Sequence, residues 1–347
     1  MFDLPFALSV HTGGGPGVGY TVEDGLNETI EIARTADRRG YNRFWMSEHH
    51  AMPALAIASP TVMIARLTAE TERIRLGAGG IMLPNHSPLV IAEEYGMLDA
   101  LAPGRIDLGL GRAPGTDAMT AAALRRGVDA NEGFPQQLSE LMGFLEDNFP
   151  AGHPYRDVHA VPGPWQAKQN RVAVPETTPE LWILGSSTYS AHLAARLGRP
   201  YAFALQFGNA DVETAMRIYR EEFKPSDVLD SPYSMVSVKT VIADDAETAR
   251  REATTYAMAM LRMLSRAPFA VFSPEEVESY PATANEQSII DMYTNRTIAG
   301  TAETVADQLE QLQAHTGVDE MMMVLSTHTP GVDAHGLELL ADHYNLS

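Results

Sequence analysis

The sequence predicts an α/β protein, a (β/α)8 TIM barrel with an insertion after strand 4 and another near strand 7, and three observations lead there. Eight apolar runs of strand length alternate with stretches of helical spacing along 347 residues, and such alternation implies parallel strands joined by helical crossovers. No compositional break marks a linker, so residues 1–347 read as one domain; barrels of this kind run to about 250 residues before insertions are counted. Polar residues recur at the C-terminal ends of the apolar runs, the end where a barrel carries its site. A doubly wound open sheet is the alternative architecture.

Taken in order, Pro5–Thr12 reads as a buried strand followed by a Gly/Pro-rich loop. Thr21–Gly40 has helical spacing, acidic residues in its first turn, arginines in its last and a glycine stop. Arg43–His50 is the second strand, and Ser59 is placed to cap a helix that has Pro60 at its first position. Arg73–Leu83, Pro88–Gly104 and Arg105–Gly111 continue as strand, helix, strand. After Gly111 the rhythm breaks into a loop with one or two helices, and residues 148–179 read as an insertion with little periodicity. The alternation resumes with strands at 180–187 and 200–208, a strand at 234–243 and a long helix at 245–264. A second irregular insertion spans 267–299; a helix at 301–317, a strand at 320–327 and a helix at 335–344 close the chain.

The formal net charge of −20 repels phosphate backbones and anionic membranes, and no basic run offsets it, so nucleic acid and membrane are not expected as partners. A hydrophobic share of 45% with 20% charged residues describes a globular chain with a large core. Cysteine is absent, which excludes disulfides and thiolate metal sites. The N-terminal residues lack a signal-peptide pattern, and no apolar run nears the roughly 18–20 residues of a membrane helix, so a soluble cytoplasmic protein is expected.

The residues that fall at strand ends are His11, Glu48, His49, His50, Asn85, His86, Arg112, Ser186, Ser187 and Gln206. The run Glu48-His49-His50 is not a metal pattern of the HxH or HExxH kind, since neighbours on a strand diverge, so no metal is expected. Glycines at 77, 79 and 80 allow close approach of a ligand or shape a bulge. Arg112 suits a phosphate or carboxylate, or a salt bridge that holds its loop. A strand that ends at Gly185, followed by Ser186, Ser187 and a helix start, presents donors to a phosphate; simple helix capping by Ser186, Ser187 or Ser190 is the other reading. The chain lacks a GxGxxG opening a helix after its first strand, and it lacks a P-loop.

"FWMSEHH", "GAGGIMLPNHSPLVIAEEYGMLDALAPGRIDLGLGRAPGTD" and "LGSSTYSAHLAARLG", in this order and spacing, resemble the bacterial luciferase-like flavin-dependent monooxygenases, in particular their single-chain FMN-type members. The resemblance is strongest over 41–117, recurs at 181–207 and stays colinear to "AGTAETVADQLEQL". It implies a TIM barrel and a homodimer. It further implies reduced FMN from a separate reductase, and oxidation of an aldehyde or other small organic substrate with oxygen. By motif, His49 matches the catalytic histidine over the flavin ring, and Gly79 and Gly80 the pair joined by a non-prolyl cis peptide beneath it. Arg112 and Ser186 match residues on the FMN phosphate, with Gly185 and Ser187 beside them. Gly185 stands where the family has an acidic residue, which implies a wider pocket, and Gly111 where luciferase has a reactive cysteine. A deazaflavin-dependent oxidoreductase and a non-catalytic flavin-binding barrel are the alternatives. The segment from Ala267 to Arg296 corresponds to the family's mobile loop and is expected to act as a lid.

Overall fold

Strands β1 (Ala7–Thr12), β2 (Arg43–Met46), β3 (Arg75–Met82) and β4 (Ile106–Gly111) pair in parallel, each with the next. The sheet continues through β5 (Glu180–Gly185), β6 (Tyr201–Ala204) and β7 (Ser234–Ile242). Strand β9 (Glu320–Leu325) pairs with both β7 and β1 and so closes an eight-stranded barrel. An extra strand, β8 (Ile298–Gly300), adds to the C-terminal end of β7 outside the ring. This is a computed structural model, and it describes residues 4–113, 116–125, 127, 130–170, 173, 177–207 and 211–347.

Helices follow the strands along the chain: α1 (Val22–Arg38), α2 (Pro60–Thr68), α3 (Pro88–Leu101), α4 (Ala118–Ala123), α5 (Phe134–Glu146), α6 (Pro164–Asn170), α7 (Thr188–Leu197), α8 (Val212–Glu222) and α9 (Ala246–Leu264). After α9 come α10 (Pro274–Ser279), α11 (Ala284–Arg296), α12 (Ala302–Thr316) and α13 (Val332–Tyr344). Helix α1 starts as its sequence dictates, on a capping box in which the Thr21 side chain accepts from Asp24 N–H and Asp24 accepts from Thr21 N–H. It stops before Gly40, whose φ of 74° suits glycine. Ser59 departs from expectation: it occupies the N-cap of α2 but makes no side-chain capping bond, its hydroxyl being paired with that of Thr61.

Inside the barrel the side chains lie in layers. At the N-terminal end Arg43 donates to Glu320, Asp107 and Glu180, and Arg75 donates to Asp107. Above them Trp45, Trp182, Met235, Met322 and Ala202 form an apolar layer. The C-terminal layer carries His11 on β1 and Lys239 on β7, both level with Val324 of β9.

Two insertion readings change. Residues 267–299 are mostly helical, since α10 and α11 each begin on a capping box, Ser273 with Glu276 and Thr283 with Glu286. Phe272, Val277, Ile289, Ile290 and Tyr293 pack against Met258 and Leu261 of α9. Within 148–179, α6 forms at Pro164–Asn170, while 171–172 and 174–176 lie outside the described residues.

Candidate active site

The second strand ends at Met46, earlier than its apolar pattern suggests, because Glu48 is turned inward and fully engaged. Its Oε1 accepts from His50 Nε2 at 2.7 Å, His86 Nε2 at 2.9 Å and Asn85 Nδ2 at 3.2 Å, and its Oε2 accepts from Met82 N–H at 2.9 Å. Burial alone raises a carboxyl's pKa, but the hydrogen bonds and charges of His86, Met82 N–H and His50 outweigh it and hold Glu48 below its ordinary value. Donor atoms of Glu48, His50 and His86 lie within 4.8 Å of one another, a spacing a metal could also use, yet hydrogen bonds already account for their positions. The knot ties the β2 loop to the segment after β3 and leaves His49, half-buried, on the wall of two adjoining cavities.

The smaller cavity, about 400 Å³, is where the expected cofactor residues meet: Gly79, Gly80, Arg112, Gly185, Ser186 and Ser187 all line it, together with His49. The Gly79–Gly80 peptide is cis, and the β3–β4 register shifts between Gly79 and Ile81, so the glycines do mark a bulge. A Cβ on Gly80 would stand 2.6 Å from the Gly109 carbonyl oxygen, which leaves no room for a side chain. Gly185 has a packing reason of the same kind, since its Cβ would meet Ser190 Oγ at 2.1 Å; close approach of α7 accounts for this glycine without a widened pocket.

Arg112 is exposed at the rim, its guanidinium 4.3 Å from the centre of the Tyr189 ring in the first turn of α7. Ser187 is the N-cap residue of α7 but forms no side-chain capping bond, and Ser190 Oγ instead donates to the Ser187 carbonyl at 2.9 Å. Capping therefore does not occupy the Ser187 hydroxyl, and Ser186 and Ser187 are both exposed to the cavity mouth.

The larger cavity, about 490 Å³, adjoins the first and shares His11, Ser47, His49, Gln206 and Phe207 with it. His11 is buried, and Nε2 lies 3.2 Å from the Gly79 carbonyl oxygen. A carbonyl only accepts, so Nε2 carries the proton and Nδ1 a lone pair. Burial pushes the imidazole down to about 4, opposed by the Gly79 bond and assisted by His49 and Lys239, so the ring is neutral at pH 7. Of the strand-end residues, then, His11, His49, Arg112, Ser186, Ser187 and Gln206 reach the cavities, and Glu48, His50, Asn85 and His86 stand behind them.

Sequence reasoning missed this compartment's other polar residues. Glu28 on α1 and Asp333 on α13 line it with Tyr256, and Lys239 lies 4.9 Å from the Tyr256 ring centre. The one usable signal was Lys239, a lone cation inside the apolar run "SMVSVKTVIA". Burial pushes Lys239 down to about 8, opposed by Asp333, and pushes Asp333 up to about 6, opposed by Lys239.

With this geometry in place, similarity to known proteins becomes informative. The family model described as luciferase-like monooxygenase matches residues 4–320. The Escherichia coli (strain K12) protein named luciferase-like monooxygenase is 37% identical over 325 residues, covering 93% of this chain and 92% of its own. The oxygenase component of the flavin-dependent trigonelline monooxygenase of Acinetobacter baylyi is 26% identical over 87% of this chain and 83% of its own. The crystal structure of apo-MsnO8 superposes with a TM-score of 0.85 at 32% identity, covering 99% and 98% of the two chains. The FMN complex of the oxygenating constituent of 3,6-diketocamphane monooxygenase, from a Pseudomonas putida plasmid, shares the fold at a TM-score of 0.71 and 18% identity, over 97% and 96%. The match spans β1 to β8 and reaches the first residue of β9, and the chain belongs to the luciferase-like monooxygenase family of flavin-dependent enzymes.

Proposed function

We propose that this protein takes reduced FMN from a separate reductase and uses it with oxygen to oxidise a small organic substrate, aldehydes being the first class to try. The observation that carries the reading is the two-ended chemistry of the smaller cavity. At one end Arg112, the serines 186 and 187 and the N-terminus of α7 gather donors and positive charge, which suits a phosphate. At the other end Gly79 and Gly80 make a wall without side chains beside His49, and Ile183, Leu184 and Met235 supply apolar surface, which suits a flat ring system.

The donor set therefore fits FMN, and Arg112, Ser186, Ser187, Gly79 and Gly80 are the residues that would hold it. Bound reduced flavin supplies the electron pair for oxygen activation, and the protein supplies position and a dry cavity. His49 stands where both cavities open, placed to exchange a proton with a molecule in the larger one. The FMN found in the camphane oxygenase supports the choice of flavin, and the designation of the trigonelline enzyme as an oxygenase component supports a reductase partner. We place the protein in the cytoplasm; among the described residues no helix is long and apolar enough to cross a membrane.

Titration with reduced FMN without oxygen, followed by air and a flavin reductase, tests the proposal. Saturable FMN binding and oxygen uptake that rises with an added organic substrate are expected. FMN binding with no substrate-linked uptake across a broad panel would leave a flavin-binding barrel. A deazaflavin that binds at least about tenfold tighter than FMN would move the chemistry to hydride transfer.

A further inference from the structure

We infer that the larger cavity selects an apolar molecule whose polar head donates hydrogen bonds, an organic ammonium foremost and an alcohol next, and that it rejects organic anions. Calling this occupant the substrate rests on the flavin reading above; the selectivity itself does not. Three features of the lining lead to it. Its walls are mostly apolar, with Met52, Leu55, Met260, Phe269 and Val271 among them, so the body of the ligand is hydrocarbon-like. Its charged residues are all carboxylates, Asp24 at the mouth, Glu28 on α1 and Asp333 on α13, and among the described residues no lysine or arginine lines it.

The third feature is independent of those acids. His11 is 8% exposed, its Nε2 is spent on Gly79 at the flavin side, and Nδ1, on the other edge of the ring, has no hydrogen-bond partner among the described residues. A buried acceptor left without a donor is rare and costly, and a ligand donor is one way to satisfy it. The neutral ring can offer only an acceptor at Nδ1, as the ionised carboxylates do, so the charged groups of the lining and this ring edge all favour a donor.

The nearby cation does not reverse the sign. Lys239 shares the C-terminal layer of the barrel with His11, lies 4.9 Å from the Tyr256 ring centre, and its Nζ has no hydrogen-bond partner among the described residues, so it is one cation set against three acids. If it offsets Asp333 fully, Glu28 and Asp24 still leave the compartment negative. Burial raises the Glu28 carboxyl, with the Gly331 N–H bond opposing and Glu31 adding, which is the response of an acid that lacks a counter-charge. Tyr20, Tyr256 and Phe269 add aromatic surface to the same wall, a further preference for a cation over an anion.

A matched series separates the possibilities: 4-phenylbutylamine, 4-phenylbutan-1-ol and 4-phenylbutanoate, titrated calorimetrically into the flavin-free protein at pH 7. The amine should bind with unit stoichiometry and at least about tenfold tighter than the carboxylate, with the alcohol between them. The double variant Glu28→Gln, Asp333→Asn should shrink the amine-to-carboxylate ratio several-fold and leave the alcohol unchanged, while His11→Leu should weaken amine and alcohol alike. Each variant is first checked for cooperative thermal unfolding and for FMN binding. Carboxylate binding equal to that of the amine, a ratio indifferent to the double variant, or no binding of any probe would overturn the inference. Failure to bind FMN would instead sink the flavin reading and leave the selectivity standing.

Discussion

Glu48 shows how much one side chain can carry. It satisfies His50, His86, Asn85 and the Met82 N–H at once, so Glu48→Gln trades a charged acceptor for a weaker one that also brings unwanted donors. A loss of about 2 kcal/mol at pH 7 is expected from chemical denaturation. The pH dependence follows from the direction of its shift. The folded-state pKa lies below the ordinary 4.5, so the stabilisation is complete above that value and disappears as pH falls through the folded pKa. The gap between wild type and variant should therefore narrow in acid, and a constant gap down to pH 3 would contradict the role given to the carboxylate. Asp333 behaves oppositely: its pKa is raised to about 6, so its ionisation opposes folding as pH rises from 3.8 through 6. Asp333→Asn should accordingly gain stability relative to wild type between pH 4 and pH 7 in thermal melts.

Arg112 belongs to the same scale. Arg112→Ala should weaken FMN by about 1.5–3 kcal/mol, the range for a hydrogen bond to a charged group, and leave riboflavin, which lacks the phosphate, nearly untouched. Equal losses for the two ligands would place the guanidinium, which stacks on Tyr189, away from the phosphate.

Among the elements, the strand ends inside the barrel hold the most demanding arrangement. Arg43 is buried, donates to carboxylates from β4, β5 and β9 and lies 4.6 Å from the centre of the Trp182 ring. Arg43→Met leaves Asp107 and Glu320 without this partner in the core, and a loss of about 3–5 kcal/mol is expected in urea unfolding. The insertion after α9 divides in two. Its helices α10 and α11 are packed on α9, whereas Phe269 and Val271 line the larger cavity, and Val271 O accepts from Val18 N–H at 2.8 Å. We therefore narrow the lid proposal to residues 267–272. Limited proteolysis should cut there in the free protein and be suppressed by flavin with an amine probe, while cutting inside α11 under the same conditions would count against it.

For the molecule as a whole, the homodimer remains a proposal with a definite surface. Val90, Met97 and Leu101 share one face of α3, the last two 54% and 62% exposed, and Val62 on neighbouring α2 is 72% exposed. Exposed apolar residues that follow one helix face onto its neighbour suit a partner's matching face. Sedimentation velocity should show a dimer, and the pair Met97→Glu, Leu101→Glu should shift it toward monomer with the fold intact by circular dichroism. A monomer in the unaltered protein at micromolar concentration would end the proposal.

Periodicity, turn residues and end charges are local, and they made most of the barrel readable in advance: the eight ring strands, the acidic first turn of α1, the glycine stop at Gly40. The same local rules were available at Ser273 and Thr283, where Glu276 and Glu286 announce α10 and α11, and there prolines and aromatics masked them. Of the site, the residues at strand ends were legible because alternation sets which side chains face the lumen and strand direction sets which end they reach. What the sequence could not determine is distance between residues far apart in it. That His86 meets Glu48, that His11 spends one nitrogen on Gly79, and that Lys239 and Asp333 share a compartment follow from barrel closure and register. A pattern of period two or 3.6 specifies a face and not a partner, and only the packed strands decide which faces meet.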